Sequence, residues 1–225
     1  MPNTATAGPV RLAQRDLFGG AIQLSLPFDY LDASELRQIP DNQEVFLSPV
    51  SETSVVVEVL AMVEEGEAGK DLWEAAKFHF SSLAHDNSAL STSILTSPPS
   101  PSIPSRPSSD ASSTPTPIIL QGTQVIHKFS HNPTGAPRPG REEDDPDTVW
   151  IGLALWRCWL EPSGMASGSG GSGRKKADVV MSVNVNLSAE GGQGEDERRK
   201  VDGWFQEAAR GFRIADWGLF GDCED

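Results

Sequence analysis

Few groups in this chain could do chemistry, and most of their spacings miss the geometry that chemistry would need. Gly168 to Lys175 has the glycines of a phosphate-cradling loop. However, Gly173 is followed by Arg174, Lys175 and Lys176 where a P-loop requires Gly-Lys-Ser/Thr. The run also precedes a strand-like segment instead of joining a strand to a helix, so it reads as a flexible tether. No bound nucleotide and no other cofactor is expected. His127 and His131 would make a metal pair on a helix, but a strand-like run separates them, and no metal site is expected. Cys158 and Cys223 lie far apart without CxxC spacing, which supports neither a disulfide framework nor a zinc site. A GxSxG elbow and an HExxH helix are both absent, so nothing in the motifs favours an enzyme.

Charge is the informative chemistry. From Asp29 to Glu67 there are ten carboxylates, Asp41 and Glu44 among them, against the single base Arg37, within a chain of net charge -14 and pI near 4.6. By charge alone the stretch is a solvated face that keeps the protein soluble. A phosphate backbone would be repelled, which excludes nucleic acid as the expected partner. A basic protein surface is the natural complement. Residues Met1 to Arg15 lack a signal-peptide core, and no run approaches the ~20 apolar residues of a membrane span. The expectation is a soluble protein of nucleus and cytoplasm, monomeric, without a membrane partner.

The elements that must position these groups are legible in part. Ile22, Leu24, Leu26 and Phe28 alternate with polar residues as in a half-buried strand, and Gly19-Gly20 supplies its preceding turn. Asp32 with Glu35 has capping-box spacing, predicting a short helix through Leu36 before a turn at Pro40-Asp41-Asn42. Strands follow at Glu44 to Leu47 and at Ser54 to Val63, the latter valine-rich as if buried on both faces. Leu72, Trp73, Ala76, Phe80, Leu83 and Ala84 make one face of a helix over Ala68 to Ala84. Further strands are predicted at Ile118 to Phe129, Thr148 to Leu160 and Asp178 to Leu187. Val201, Trp204, Phe205, Ala208 and Phe212 form the stripe of a last helix, followed by an extended or irregular Ile214 to Phe220. The six tryptophans are assigned to the core.

Three low-complexity stretches, 88–117, 131–147 and 163–176, are too poor in apolar residues to offset chain entropy and are expected to be without structure, as is the N-terminus 1–14. They leave too few strands for two cores, so 15–225 reads as one domain. About six strands with two amphipathic helices, not in βαβ order, predict an α+β fold with a mainly antiparallel sheet.

Certain residue blocks carry a resemblance. Leu17-Phe18-Gly19-Gly20-Ala21 and Ile39-Pro40-Asp41-Asn42-Gln43-Glu44-Val45-Phe46 resemble the N-terminal signature of the Ran guanine-nucleotide release factor family, also called the Mog family. In order, Lys77-Phe78-His79-Phe80 with Ala84-His85-Asp86-Asn87, Asp178-Val179-Val180 running to Asn184-Val185-Asn186, and Ile214-Ala215-Asp216-Trp217-Gly218-Leu219-Phe220 continue it. The departures are insertions. The resemblance implies an α/β/α sandwich around a six-stranded sheet, similar to the PsbP subunits of photosystem II.

It also implies a Ran GTPase partner, release of Ran's guanine nucleotide, support of nuclear protein import, and no covalent chemistry. Asp41 and Glu44 match the acidic pair of the family's Ran-binding surface, with Asp32, Glu35, Arg37, Pro40, Asn42 and Gln43 around them. Phe46 belongs to the same block but reads as core. Two other readings share the fold class. One is a PsbP-like structural subunit, which would need a targeting segment; the other is a small-molecule enzyme, which would need a deep polar pocket with titratable groups.

Overall fold

The computed structural model describes residues 10–104, 114–128, 130, 132–160 and 174–223. In chain order the elements are β1 (Leu12–Leu17), β2 (Ile22–Pro27), β3 (Leu31–Asp32), β4 (Gln43–Leu47), β5 (Ser54–Leu60), α1 (Leu72–Asp86), β6 (Ser91–Ile94), β7 (Ile118–Ile126), β8 (Asp147–Leu160), β9 (Arg174–Asn186), α2 (Gln193–Gly211), β10 (Arg213–Ile214) and β11 (Asp222–Cys223). The larger sheet has the order β3-β4-β5-β9-β8-β7-β6, with β11 added on β9, and β1-β2-β10 form a second, three-stranded sheet. Every pairing is antiparallel.

Sequence periodicity implied six strands, whereas the larger sheet alone has eight. The added strands β3, β6 and β11 have two to four residues, too short for any alternation to register. β6 also lies within the Ser/Thr/Pro stretch 88–117, so that part of the stretch is ordered: Ser91 to Ile94 pair with Gly122 to Val125. Likewise β9 begins at Arg174, inside the stretch 163–176, of which 163–173 lie outside the described residues, and β1 begins at Leu12, so 12–14 of the N-terminal stretch pair with Ser25 to Pro27. His131 lies outside the described residues.

The long strands β8 and β9 pair from Val149↔Asn186 to Leu160↔Lys175 and carry both cores. Alternate residues of β8 leave on opposite faces, because the strand repeat is two. Trp150, Ala154 and Trp156 join Val201, Trp204, Phe205 and Ala208 of α2 in one buried cluster. Ile151, Leu153 and Leu155 join Leu72, Trp73, Ala76 and Phe80 of α1 in the other. The two helices therefore cover opposite faces of one sheet, giving the α/β/α sandwich. Five of the six tryptophans are buried, and Trp217 is partly so.

Local chemistry sets the element ends. α1 starts at Leu72 and not at Ala68 because the Asp71 carboxylate caps it, accepting from the amides of Trp73 (2.9 Å) and Glu74 (3.0 Å). α2 starts well before its apolar stripe, with Glu195 and Asp196 in a first turn where the helix dipole favours negative charge. Phe28, expected on the core side of β2, is 53% exposed because the strand stops at Pro27. β5 is buried on one face only: Val55 and Val57 are fully enclosed while Val56 is half-buried.

One charged cluster lies inside. The Asp178 carboxylate, 0% exposed, accepts from Arg157 Nε (2.8 Å) and Nη2 (2.7 Å) and from the Val63 amide (3.1 Å), and it sits 2.8 Å from His79 Nε2. Arg157 also donates to the Ala68 carbonyl. Burial pushes the Asp178 carboxyl up, but the Arg157 and His79 hydrogen bonds and the Arg157 charge outweigh it and hold the group below its ordinary value. A carboxyl whose folded pKa lies below its unfolded one contributes stability above the unfolded value of about 4, and loses it as pH falls through the folded value. Urea unfolding as a function of pH should therefore show an acid limb that Asp178→Asn flattens. At neutral pH the same substitution, which strands the Arg157 charge in the interior, should cost about 3–5 kcal/mol.

Candidate functional site

The acidic segment is built on the β3–β4–β5 end of the larger sheet. Asp32 accepts from the Ser34 amide at 2.8 Å and caps a single 3-10 turn, Ala33–Glu35, which replaces the expected helix. The chain then returns to β4 through a turn closed by the Gln43 amide on the Pro40 carbonyl (2.9 Å). Asn42 fixes this turn to β5: its carbonyl accepts from the Val59 amide (3.0 Å), and its side-chain nitrogen donates to the Val59 carbonyl (3.4 Å). Pro40, Asp41 and Asn42 stand exposed at the tip, so the carboxylate of Asp41 is presented to solvent from a fixed backbone.

Glu44 is held differently. It is half-buried, and its Oε1 accepts from the Phe18 amide at 2.7 Å. Phe18 lies in the left-handed region, φ 51, which few non-glycine residues adopt without outside support. The Glu44 carboxylate supplies part of that support, and among the described residues its other oxygen has no hydrogen-bond partner. Arg15, from β1, ties down the loop above by donating from Nη2 to the carbonyls of Phe28 (2.8 Å) and Tyr30 (3.0 Å).

Of the eight residues singled out in the sequence, Glu35, Arg37, Pro40, Asp41 and Asn42 are exposed, and Asp32, Gln43 and Glu44 are half-buried. They do not share one face. Gln43 and Glu44 are successive in β4 and therefore point to opposite sides of the sheet. Gln43 donates to Glu58 Oε1 (2.6 Å) and lines a groove of about 410 Å³ with Glu58, Ser54, Asn184 and Asn186 on the α1 side. There burial raises the Glu58 carboxyl above its ordinary value, against the Gln43 hydrogen bond that lowers it. Glu44 faces the α2 side with Phe46, which is core.

Tertiary contacts also join blocks that are remote in the chain. Glu44 meets Phe18, His79 meets Asp178, and the amides of Ala215 and Asp216 both reach the Ala21 carbonyl, at 2.8 and 3.1 Å. Sequence reasoning missed the role of Phe18, and only its place before Gly19-Gly20 hinted at a special backbone.

Residues 15–163 match the family model described as Ran-interacting Mog1 protein. The chain belongs to the Ran-interacting Mog1 family. It is 33% identical over 121 residues to the Ran guanine nucleotide release factor of Danio rerio, covering 52% of this chain and 61% of that relative. It is 49% identical over 74 residues to the nuclear import protein mog1 of Schizosaccharomyces pombe, covering 32% of this chain and 37% of the relative. The matched stretch thus spans less than two thirds of either relative. Against the nuclear import protein MOG1 of Saccharomyces cerevisiae the identity is 26% over 230 residues, covering 95% and 87%. The crystal structure of the S. cerevisiae Ran-binding protein Mog1p superposes with a TM-score of 0.60 at 24% identity, covering 94% of this chain and 100% of that one, so the fold is the same.

The two carboxylates should separate in stability. Glu44→Ala, which strands the Phe18 amide, should cost about 1–2 kcal/mol in urea unfolding. Asp41→Ala should stay within about 0.5 kcal/mol of the parent.

Proposed function

We propose that this chain binds a Ran-type GTPase through the Pro40–Glu44 turn, promotes release of its guanine nucleotide, and so supports nuclear protein import between cytoplasm and nucleus. The observation that carries the reading is the Asp41 carboxylate, exposed on a turn that Asn42 and Gln43 lock to neighbouring backbone, within a chain of the Ran-interacting Mog1 family. The relatives named above are called release factors and nuclear import proteins, which supports the same direction.

A fixed carboxylate loses little freedom when it meets a lysine or arginine, and a charge-assisted hydrogen bond contributes ~1.5–3 kcal/mol. Asp41 and the second oxygen of Glu44 are the two groups assigned to this contact, with Asp32, Glu35, Arg37, Pro40 and Asn42 framing it, while the Gln43 side chain points to the other side of the sheet. Binding alone does not release nucleotide. The chain must hold empty Ran more tightly than loaded Ran, because equal affinity for both states shifts nothing. A carboxylate that draws away a cation otherwise engaged with phosphate supplies such a difference. No bond in the nucleotide breaks, so the action is exchange without covalent catalysis.

The test uses purified Ran loaded with a fluorescent nucleotide. Asp41→Lys combined with Glu44→Gln should slow the accelerated release at least about tenfold, with far-UV circular dichroism unchanged. Unaltered release by the double variant would remove the site assignment. Association should also weaken steeply between low and moderate salt, since the contact is led by exposed charge.

A further inference from the structure

A cleft of about 300 Å³ opens at the start of β7, between the first turn of α1 and the last turn of α2, lined by Trp73, Ser97, Ile103, Thr116, Ile119 and Arg210. Its two hydroxyl residues come from the two limbs of the Ser/Thr/Pro stretch, and each is followed by proline, Ser97-Pro98 and Thr116-Pro117. Proline biases the preceding residue to extended backbone, the form in which a kinase that selects Ser/Thr-Pro engages its acceptor. Both Ser97 and Thr116 are exposed.

The limbs are tied to the fold on either side of the acceptors. Thr96 Oγ1 accepts from the Gln121 amide (3.0 Å), the Leu72 amide donates to the Ile103 carbonyl (2.9 Å), and Thr114 Oγ1 accepts from the Ile214 amide (2.9 Å). These contacts keep both hydroxyls at one cleft although 18 residues separate them in between. The basic member of the lining is Arg210, which is exposed and donates to the neutral Gln206 Oε1 at a long 3.2 Å. A phosphate would bring about −1.5 to −2 charges and three acceptor oxygens to that guanidinium, whose planar fork suits them. The C-terminal dipole of α2 disfavours an anion there, but a dipole at an exposed helix end is weaker than a direct charge-assisted pair.

We propose that Ser97 and Thr116 are acceptor sites for a proline-directed protein kinase, and that Arg210 receives the phosphate and clamps both limbs of the segment to α2. In the transfer, the hydroxyl oxygen attacks the γ-phosphorus of ATP and a new P–O bond forms. The bond from that phosphorus to the bridging oxygen of ADP breaks, and the hydroxyl proton passes to the base of the kinase.

The full chain would be treated with a purified proline-directed kinase and Mg-ATP, mapped by peptide mass, and followed by hydrogen exchange of the amides in 95–104 and 114–119. Phosphate is expected on Ser97 and on Thr116, with Ser97→Ala and Thr116→Val each removing its own. Exchange in both limbs should then slow by roughly tenfold in the parent, the factor one charge-assisted pair supplies. Arg210→Gln should accept phosphate equally but lose that protection, and Arg210→Lys should regain part of it. Absence of phosphate from Ser97 or from Thr116, or the same protection with and without Arg210, overturns the proposal.

Discussion

The buried carboxylate of Asp178 is the constraint on which the sandwich depends. An ionised group removed from water is tolerated only if its oxygens are filled, and here four donors from three parts of the chain converge on it. Arg157 brings β8, His79 brings α1, and Val63 brings the connection between β5 and α1. The cluster therefore fixes how α1 and that connection sit on the β8–β9 pair, in a way that apolar packing alone would leave free to slide. A hydrophobic interface accepts many near-equivalent registers, whereas a two-pronged guanidinium–carboxylate pair accepts few.

The same division of labour explains the acidic segment. Its high charge reads in composition as one electrostatic surface, yet much of it is already paired within the chain. Glu44 braces the left-handed Phe18, Glu52 pairs with Lys128 and Asn186, Glu58 takes Gln43, and Glu64 pairs with Lys176. Among the described residues Asp41 has no such bond, and its turn is rigid for reasons that do not involve its carboxylate. A binding charge of this kind is available to a partner without first breaking an internal contact. Glu44 is intermediate, with one oxygen committed to structure and the other open.

This arrangement also accounts for residue blocks that occur together in the resemblance. Leu17 to Ala21 and Ile39 to Phe46 meet through the Phe18 amide and Glu44, the helix block around His79 meets the strand block that opens with Asp178, and the closing Ala215-Asp216 returns to Ala21. Each joint involves a buried or half-buried polar group, whose partner must be present for it to be tolerated.

The sequence by itself determined the elements whose signals are local and repeated. The alternation of Ile22, Leu24 and Leu26 and the stripe from Val201 to Phe212 each declare a period that only one kind of element satisfies, while the run of β8, buried on both faces and without a period, reads as a strand by its β-branched and aromatic residues. It also determined the PDNQEVF turn, since Pro40, Asp41 and Asn42 are turn residues by their own backbone preferences. Tertiary structure decided what depends on partners far along the chain. It set the short edge strands β3, β6 and β11, the exposure of Phe28, the separation of Gln43 from Glu44 onto opposite faces, and the commitment of one acidic residue to the fold while its neighbour stays free. The physical reason is that a residue's period is written in its neighbours, whereas the donor that fills a carboxylate comes from wherever the sheet order places it.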